Sequence, residues 1–236
     1  AVVTGGAGFI GANIAEYLHR TQNWEVVIVD ALAAGDAARV ENLPSGMRFV
    51  QADVLDTERM ASECAGAEAV FHHAALASVP LSIARPVHSC RVNAEGTLSI
   101  LEAARRAGVK KVVYAASSAL YGADPSPAKA ETLPPAPLSP YGVAKYTGEL
   151  YASVYASLHG MHVVSLRYFN IFGPGQDPSS PYAAVIPLFM DTIQRGIVPE
   201  IHGNGSQTRD FTYVENVVQA NWLACNGPRE ASGLSF

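Results

Sequence analysis

The sequence feature that most constrains the fold is a glycine-rich turn close to the start of the chain. Gly5, Gly8 and Gly11 separate a short apolar run, residues 1–4, from an amphipathic pattern over residues 11–20. A tight turn requires the first glycine, close approach of the backbone to a pyrophosphate requires the second, and close helix–strand packing requires the third. The pattern therefore predicts a strand–turn–helix unit whose helix N-terminus binds an anion through unpaired N–H groups.

Short β-rich runs alternate with helical patterns along most of the chain. The predicted strands are residues 1–4, 25–30, 48–51, 68–72, 111–116 and 162–167. The predicted helices are residues 11–20, 57–65, 93–107 and 141–158. Strands that alternate with helices of this length predict βαβ units, and hence an α/β fold with a doubly wound parallel sheet.

The regular alternation ends after Arg167, where Gly173-Pro174-Gly175 indicates a loop. We place a domain boundary there, so that residues 1–169 form a nucleotide-binding domain and residues 170–236 form part of a smaller substrate-binding domain. The chain begins inside an apolar run and ends at Leu234-Ser235-Phe236, which is typical of the start of a strand. We therefore expect a nearly complete first domain and a partial second one.

Two acidic residues extend the predicted nucleotide site. Asp30 ends the second predicted strand, where it is placed to accept hydrogen bonds from the ribose 2′- and 3′-hydroxyls. Its charge repels a 2′-phosphate, so the sequence favours NAD over NADP. Asp53 follows the third predicted strand, and two interpretations stay open: an acceptor for the adenine amino group, or an acid at a helix N-terminus.

The composition excludes several other classes of protein. A chain of 236 residues with 49% hydrophobic and 16% charged residues is long and apolar enough to form a core, which excludes a disordered chain. The net charge of −5 and the lack of a Lys/Arg run argue against nucleic acid or an anionic membrane as partner. No apolar stretch approaches the roughly 18 residues of a membrane helix, and no signal peptide is visible.

The cysteine and histidine residues indicate neither disulfides nor a metal site. Cys64, Cys90 and Cys225 form no CxxC pair, so we expect free thiols and a reducing, cytoplasmic compartment. His72 and His73 have no carboxylate or cysteine at metal-ligand spacing, so we expect no metal.

A candidate catalytic group surrounds a proline-rich segment, which predicts a long loop able to cover a ligand. Tyr141 and Lys145 follow this loop and share one face of a predicted helix, where the ammonium lowers the pKa of the phenol from near 10. Ser117 ends the fifth predicted strand, at the edge where parallel sheets bind ligands, and its hydroxyl is placed to hold the same substrate oxygen. The arrangement predicts Tyr141 as general base for a hydroxyl proton. The prolines of the loop are Pro125, Pro127, Pro134, Pro135, Pro137 and Pro140.

With the glycine turn, Ser117 and the Tyr141–Lys145 pair in this order, residues 1–236 resemble the extended short-chain dehydrogenase/reductase family, the NAD-dependent sugar-nucleotide epimerases and dehydratases. The resemblance implies that Ser117, Tyr141 and Lys145 are catalytic and that Asn93 supports the framework of the active site. The NAD site that it implies consists of Gly5, Gly8, Phe9, Ile10, Gly11, Asp30, Asp53, Val54, Ala74, Ala75, Asn93, Tyr141, Lys145 and Tyr168. The implied substrate site consists of Ser78, Ser117, Ser118, Tyr141, Asn170, Ala184, Val185 and Arg209.

The resemblance also narrows the reaction. Family members begin by moving the 4-hydroxyl proton to the tyrosine while hydride passes from sugar carbon 4 to NAD. The 4,6-dehydratases then use an Asp-Glu pair directly after the catalytic Thr, where this chain has Ser118 and Ala119, and decarboxylating members usually carry a Glu in that stretch. The remaining reaction is 4-epimerisation, through a transient 4-keto sugar.

Two segments resemble the UDP-N-acetylhexosamine and UDP-glucose 4-epimerase branch of the family, residues 74–80 and residues 167–187. The small residues Ala77 and Ala184 would leave room for an N-acetyl group, and the choice between hexose and N-acetylhexosamine stays open. Arg209 matches the arginine that binds the pyrophosphate in family members, and a planar guanidinium suits bidentate binding of a diphosphate. A surface ion pair with Asp210 is the alternative interpretation.

Three further expectations concern function and assembly. The resemblance implies a homodimer formed by the helices that carry Asn93 and Tyr141. A second enzyme hypothesis is another nucleotide-sugar enzyme of this fold: a UDP-glucuronate 4-epimerase, a dehydratase or a reductase. A hypothesis from another class is a non-catalytic dinucleotide-sensing protein, but such proteins typically lose the Tyr or the Lys, and this chain has both.

Overall fold

A computed structural model describes residues 1–126, 128–178, 185–201 and 203–236. The strands in these ranges are β1 (Val2–Thr4), β2 (Val26–Asp30), β3 (Met47–Gln51), β4 (Ala69–His72), β5 (Lys111–Ser117), β6 (His162–Tyr168), β7 (Asn170–Phe172) and β8 (Phe211–Tyr213). The α-helices are α1 (Phe9–Arg20), α2 (Thr57–Cys64), α3 (Val79–Ala84), α4 (Pro86–Cys90), α5 (Gly96–Arg106), α6 (Pro140–His159), α7 (Val185–Gln194) and α8 (Val214–Asn226).

Strands β1 to β6 form a parallel sheet in the order β3-β2-β1-β4-β5-β6. This order confirms the predicted doubly wound α/β fold. It reverses direction between β1 and β4, and ligands bind such sheets at the carboxyl ends of the strands beside the reversal. Thr4 of β1 lies opposite His72 of β4 there, and Ser117 of β5 lies opposite Tyr168 of β6.

Both faces of the sheet are covered by helices, which explains the uninterrupted apolar runs of its strands. Because side chains alternate between faces along a strand, Val112 packs into the core beneath α2, α5 and α6, whereas Val113 packs into the core beneath α1 and α8. All six predicted strands are present, with bounds within a residue of those expected. The inner strands are largely buried on both faces, whereas the edge strand β3 is partly exposed.

The predicted helix over residues 93–107 begins earlier than expected, and this is a correction. The helical backbone already starts at Pro86, which suits the first turn of a helix, and runs through α4, a π-helical turn (Arg91–Glu95) and α5. Asn93 therefore lies inside a π turn and does not open the helix. Single π turns widen the backbone ladder and occur frequently at functional sites.

The part of the chain after β6 packs in two different places. Strands β7 and β8 form a separate parallel pair, whereas Val218 and Cys225 of α8 are buried in the core of the six-stranded sheet. The boundary near residue 170 stays a prediction, and α8 is a helix beyond it that packs on the first domain. Ser235 pairs in parallel with Ser165 of β6, as expected for the start of a strand. None of the helices in the described ranges is long and apolar enough to cross a membrane.

Candidate active site

The glycine turn between β1 and α1 has no room for larger residues. Gly5 has a positive φ of 69°, and a Cβ there would lie 2.6 Å from the backbone nitrogen of Ala74. A Cβ on Gly11 would lie 2.8 Å from the carbonyl carbon of Gly5 and 2.9 Å from the Cα of Gly6. The backbone of the turn is thus packed against α1 on one side and against the end of β4 on the other.

The N-terminus of α1 and Asp30 are arranged to bind a nucleotide. Gly8 is the N-cap of α1 and has no side chain to occupy the first N–H groups, so these donors point out of the helix end. Asp30 at the end of β2 accepts hydrogen bonds from the backbone N–H groups of Ala7 (3.1 Å) and Leu32 (2.8 Å). Its carboxylate is therefore held beside the glycine turn. An anion-binding helix end next to an oriented carboxylate fits the pyrophosphate and ribose of NAD.

Asp53 lies in the loop after β3 and is exposed. Its Oδ1 accepts from the N–H of Leu55 (3.0 Å), whereas the N-cap of α2 is Asp56, which accepts from Arg59. Asp53 is therefore not the N-cap of α2, so the alternative interpretation, an acid at a helix N-terminus, does not hold in the form of a capping residue. Its neighbour Val54 is buried and lies under Gly96.

Asn93 fixes the loop that follows β4. Its amide accepts from the N–H of Leu76 (2.8 Å) and donates to the carbonyl of Leu76 (3.2 Å). Asn93 is 1% exposed, and a two-way bond to one backbone unit leaves that loop little freedom. Ala74 and Ala75 precede the clamped residue, so the same clamp positions both of these predicted cofactor residues beside the glycine turn.

His72 of β4 connects β1 to α5 below this loop. Its Nδ1 lies 2.7 Å from the hydroxyl of Thr4, and its Nε2 lies 3.1 Å from that of Thr97. Burial, together with the charges of Lys145 and His73, holds the pKa of His72 well below its usual range, so the ring is neutral. We conclude that His72 is a structural histidine of the core, held between two threonine hydroxyls. In the described ranges, no cluster of three metal-ligating side chains occurs.

Tyr168 stacks on His73, with ring centroids 6.0 Å apart and planes 7° apart. Its hydroxyl accepts from the amide of Asn221 on α8, and Nε2 of His73 lies 3.2 Å from the other atom of that amide. Burial and the charge of Lys145 lower the pKa of His73 to about 3, and within the described part of the chain its Nδ1 has no hydrogen-bond partner. This neutral aromatic pair lines the reversal point of the sheet, next to Gly5.

Ser117, Tyr141 and Lys145 meet at the carboxyl end of β5. Tyr141 lies on the first turn of α6, and its phenol is hydrogen-bonded to the Ser117 side chain. Lys145 is 3% exposed, and its Nζ donates to the carbonyl of Ala115 (2.8 Å). The backbone N–H of Tyr141 donates to Ser82 Oγ (3.2 Å), which fixes the start of α6 against α3.

The electrostatics of this group follow from its burial. Burial raises the pKa of Tyr141, and the hydrogen bond from Ser117 acts in the opposite direction. Burial also lowers the pKa of Lys145 to about 7, because the ammonium loses its hydration. Both shifts favour the uncharged forms of the two side chains in the NAD-free chain. Strongly shifted pKa values at the ligand-binding edge of a parallel sheet mark both residues as candidates for acid–base chemistry.

The buried Lys145 predicts a pH-dependent stability. The pKa is about 7 in the folded chain against 10.5 for an ordinary lysine, so the unfolded chain binds more protons between these values. The contribution of Lys145 to the stability of the NAD-free protein should therefore rise with pH through that window, by about 5 kcal/mol. In Lys145→Met we expect this rise to disappear in urea unfolding series, and the protein to be more stable than wild type near pH 7.

The control for this prediction is Lys110→Met, which removes an exposed lysine at the other end of β5. It should leave the pH dependence of stability unchanged. A Lys145→Met protein whose stability still rises with pH as in wild type would show that Lys145 is not the group responsible.

The predicted substrate residues are distributed over several elements. Ser78 is 8% exposed and its Oγ caps α3 by accepting from Leu81 N (3.1 Å). Asn170 donates its amide to the carbonyl of Asp210 (2.9 Å) and so joins β7 to the start of β8. Arg209 precedes this point, is exposed, and donates to the carbonyl of Thr208.

Within the ranges that the structure describes, Ser118 and Val185 show no interaction that assigns them a role. Ser118 follows Ser117 in a 3₁₀ turn (Ser118–Tyr121) and is partly exposed. Val185 begins α7 and is exposed. Ala184 lies outside the described residues.

The loop after β7 returns to the nucleotide site. Asn13 of α1 donates to the carbonyl of Pro174 (3.4 Å), and Arg39, which follows β2, donates to the carbonyl of Gly175. Residues 173–175 therefore form a strap beside the first turns of α1. The sequence indicated a loop here, but these contacts depend on residues far apart in the chain.

A second feature that the sequence did not reveal is a buried ion pair between Arg167 of β6 and Glu149 of α6. The only signal is a glutamate one helical turn after Lys145, on the face that the catalytic pair uses. Such a residue is ordinarily exposed, and only the fold shows that it meets an arginine.

Comparison with known proteins gives one consistent result. The sequence profile of the NAD dependent epimerase/dehydratase family matches residues 1–234. A putative UDP-glucose 4-epimerase of Methanocaldococcus jannaschii is 40% identical over 97% of this chain and 74% of that protein. The structure of a UDP-N-acetylglucosamine 4-epimerase from Methanobrevibacter ruminantium, in complex with UDP-N-acetylmuramic acid, superposes with a TM-score of 0.90 at 39% identity, covering 96% of this chain and 72% of that one.

A relative with another reaction is nearly as similar in shape. The structure of a dTDP-glucose 4,6-dehydratase from Streptomyces venezuelae, with NAD bound, has a TM-score of 0.89 at 31% identity and covers all of this chain and 74% of that one. The fold is therefore shared across reactions, and the choice between them depends on individual side chains.

Proposed function

The chain belongs to the NAD dependent epimerase/dehydratase family, and from that premise we propose that it interconverts UDP-hexoses at carbon 4. Membership makes it an NAD-dependent enzyme of nucleotide-sugar chemistry. The finer proposal depends on the hydrogen bond between Tyr141 and Ser117 at the carboxyl edge of the sheet. It depends also on the two residues that follow Ser117 in the chain, which are Ser118 and Ala119. Neither Ser118 nor Ala119 can protonate a leaving 6-hydroxyl at neutral pH, which favours epimerisation over dehydration.

In the proposed mechanism, Ser117 holds the 4-hydroxyl oxygen by a hydrogen bond and Tyr141 removes its proton. NAD, when bound, supplies the acceptor for the hydrogen and electron pair of carbon 4 and a positive charge that favours the Tyr141 phenolate. Lys145 favours the same phenolate, and its hydrogen bond to Ala115 keeps the ammonium in place. Once the 4-keto sugar has presented its other face and the same hydrogen and electron pair have returned to carbon 4, Tyr141 returns the proton to the oxygen, so no net oxidation occurs.

Several contacts support a cofactor that stays bound between turnovers. The site combines the open N-terminus of α1, the oriented carboxylate of Asp30, the loop clamped by Asn93 and the strap at residues 173–175. Asp53 and Tyr168 complete the NAD site that we propose. Retention suits an epimerase, because each cycle regenerates the cofactor.

The substrate site that we propose consists of Ser78, Ser118, Asn170, Val185 and Arg209 beside Ser117 and Tyr141, with Arg209 on the diphosphate. The proposed substrates include both UDP-hexoses and UDP-N-acetylhexosamines. A dehydratase remains the second candidate because of the structural similarity to the Streptomyces venezuelae enzyme.

A proton NMR experiment tests the proposal. Purified protein with NAD is incubated with an equimolar mixture of UDP-glucose and UDP-N-acetylglucosamine, without added reductant. We expect new galacto-configured anomeric signals, whose relative growth gives the preferred sugar. A keto-sugar product would identify a dehydratase, and signals that appear only when reduced cofactor is added would identify a reductase.

We also propose that the enzyme is a homodimer formed through α6 and the helix that begins at Pro86. Val143, Leu150, Val154 and Leu158 form an exposed apolar stripe along α6, between 47% and 72% exposed. The adjoining Val87 is 74% exposed. Exposed apolar residues grouped on two helices that pack together are typical of a protein interface.

The dimer proposal predicts that Val154→Glu gives monomers, because a carboxylate at the centre of the stripe would have to be buried without a partner. Sedimentation velocity should show a dimer for wild type and a monomer for the variant. The control is Leu223→Glu, which places the same charge on α8, on the opposite face of the sheet, at a site that is 68% exposed. A dimeric Val154→Glu protein would refute this interface.

A further inference from the structure

The side chain of Arg167 lies beside the catalytic group without belonging to it. Its backbone position on β6 is opposite Ala116, one residue before the position opposite Ser117. The side chain is 8% exposed and forms a two-pronged ion pair with Glu149, in which Nη2 lies 2.9 Å from Oε2 and Nε lies 3.1 Å from Oε1. Glu149 is one helical turn beyond Lys145 on α6.

The remaining donors of this guanidinium reach two other segments. Nη1 donates to the phenol oxygen of Tyr121 (3.0 Å) and to the backbone carbonyl of Glu131 (3.1 Å). Tyr121 ends the 3₁₀ turn that directly follows Ser117, and the guanidinium also lies 5.1 Å from the centre of its ring. Glu131 lies in the proline-rich loop that leads to Tyr141. One side chain thus contacts every segment that carries or delivers a catalytic residue.

Stability alone does not account for this arrangement. Taking both charges out of water costs several kcal/mol per ion, and well-packed apolar residues of similar size are often as stabilising as a buried ion pair. What apolar residues cannot supply is a planar fork that holds α6, the turn after Ser117 and the proline-rich loop in one fixed relation.

We propose that Arg167 is a positioning residue, which sets the contact between Tyr141 and Ser117 by holding α6 to the turn after β5 and to the proline-rich loop. The inference rests on the proposed function, in that Tyr141 and Ser117 are the groups whose alignment matters. Arg167 itself touches neither of them.

The test is the double variant Arg167→Met with Glu149→Leu, which removes both charges together and so leaves no unpaired ion in the core. We expect it to keep the thermal midpoint of wild type within a few degrees. Tyr141 should nevertheless lose part of its alignment with Ser117, and with it the hydrogen bond that favours the phenolate.

The decisive readout is the titration of the Tyr141 phenolate in NAD-loaded protein, followed by near-ultraviolet absorbance and assigned by its loss in Tyr141→Phe. Lys145 and Tyr114, the titratable neighbours on α6 and β5, are present in the double variant and in wild type. We expect the apparent pKa of Tyr141 to rise by about one pH unit in the double variant. An unchanged titration in a folded double variant would overturn the proposal, whatever sugar the enzyme uses.

Turnover gives a second, separable measurement. If wild type epimerises a UDP-hexose, the double variant should show about a hundredfold lower kcat with KM changed less than about twofold, since misalignment affects the reacting groups and not the binding of the nucleotide. If wild type shows no epimerisation, the proposed function fails while the phenolate titration still decides the role of Arg167.

Two further variants keep the test conclusive. Should the double variant not fold, Arg167→Lys retains the charge opposite Glu149 but cannot reach Tyr121 and Glu131 at the same time, and the same rise is expected. The matched control is Arg106→Met with Glu58→Leu, an exposed two-pronged pair between α5 and α2 with distances of 2.6 and 2.7 Å. This control pair should change neither the titration of Tyr141 nor kcat. A Tyr141 titration like that of wild type in folded Arg167→Lys would refute the proposal.

Discussion

Replacing Tyr141 with Phe should lower kcat for UDP-hexose epimerisation about a thousandfold while the protein keeps its NAD. The change removes only the phenol oxygen, which is hydrogen-bonded to Ser117 and is the group that we propose removes the 4-hydroxyl proton. The ring and the packing of the first turn of α6 are retained. Turnover is measured by the growth of galacto-configured signals, and bound NAD by its absorbance after the protein is denatured.

The control for this variant is Tyr151→Phe. Tyr151 lies about three helical turns further along α6, and its ring packs against the core below α5. It should have nearly wild-type turnover. A Tyr141→Phe enzyme with a similar rate would mean that another group is the base, and the buried Lys145 would then be the first alternative to examine.

Replacing Gly11 with Ala should weaken NAD binding about a hundredfold, which corresponds to roughly 2.7 kcal/mol. The new Cβ would lie 2.8 Å from the carbonyl carbon of Gly5 and 2.9 Å from the Cα of Gly6. Both are backbone atoms of the glycine turn, so the turn has to move and the N–H groups at the start of α1 are redirected. Titration calorimetry with protein from which NAD has been removed measures the affinity.

Gly66→Ala separates this effect from a general loss of stability. Gly66 has a φ of 75° and open space around it, so alanine there is strained by on the order of 1 kcal/mol without a steric clash. It should bind NAD as wild type does although it is less stable. Wild-type NAD affinity in Gly11→Ala would contradict the proposed role of the turn.

Much of the fold follows from local patterns. The first strand and helix are predictable because the glycines at 5, 8 and 11 separate an apolar run from an amphipathic one. The central strands are predictable because they are buried on both faces, as Val112 and Val113 of β5 are, and such strands contain few polar residues.

The errors have local causes as well. The short helix α3 (Val79–Ala84) has few residues to form a periodic pattern and contains Pro80, which disguises it. The early start of the helix before Asn93 was missed because a π turn interrupts the usual spacing of its buried residues.

The candidate site was predictable only in part, for a physical reason. Tyr141 and Lys145 are one turn apart, so their shared face is evident from spacing alone. The clamp between Asn93 and Leu76, the strap from residues 173–175 to Asn13, and the pair of Arg167 with Glu149 join residues distant in sequence. Pairwise contacts of this kind depend on how the elements pack, and a single sequence does not show them.

The central claim is that carbon 4 is oxidised and reduced again within one site. The measurement that tests it most directly uses UDP-glucose, or its N-acetylamino counterpart, with deuterium at carbon 4, incubated with the NAD-loaded enzyme in ordinary water and followed by NMR. The account predicts a galacto-configured product that retains deuterium at carbon 4. A product that has lost its deuterium to water, or a keto sugar that carries it at carbon 6, would contradict it.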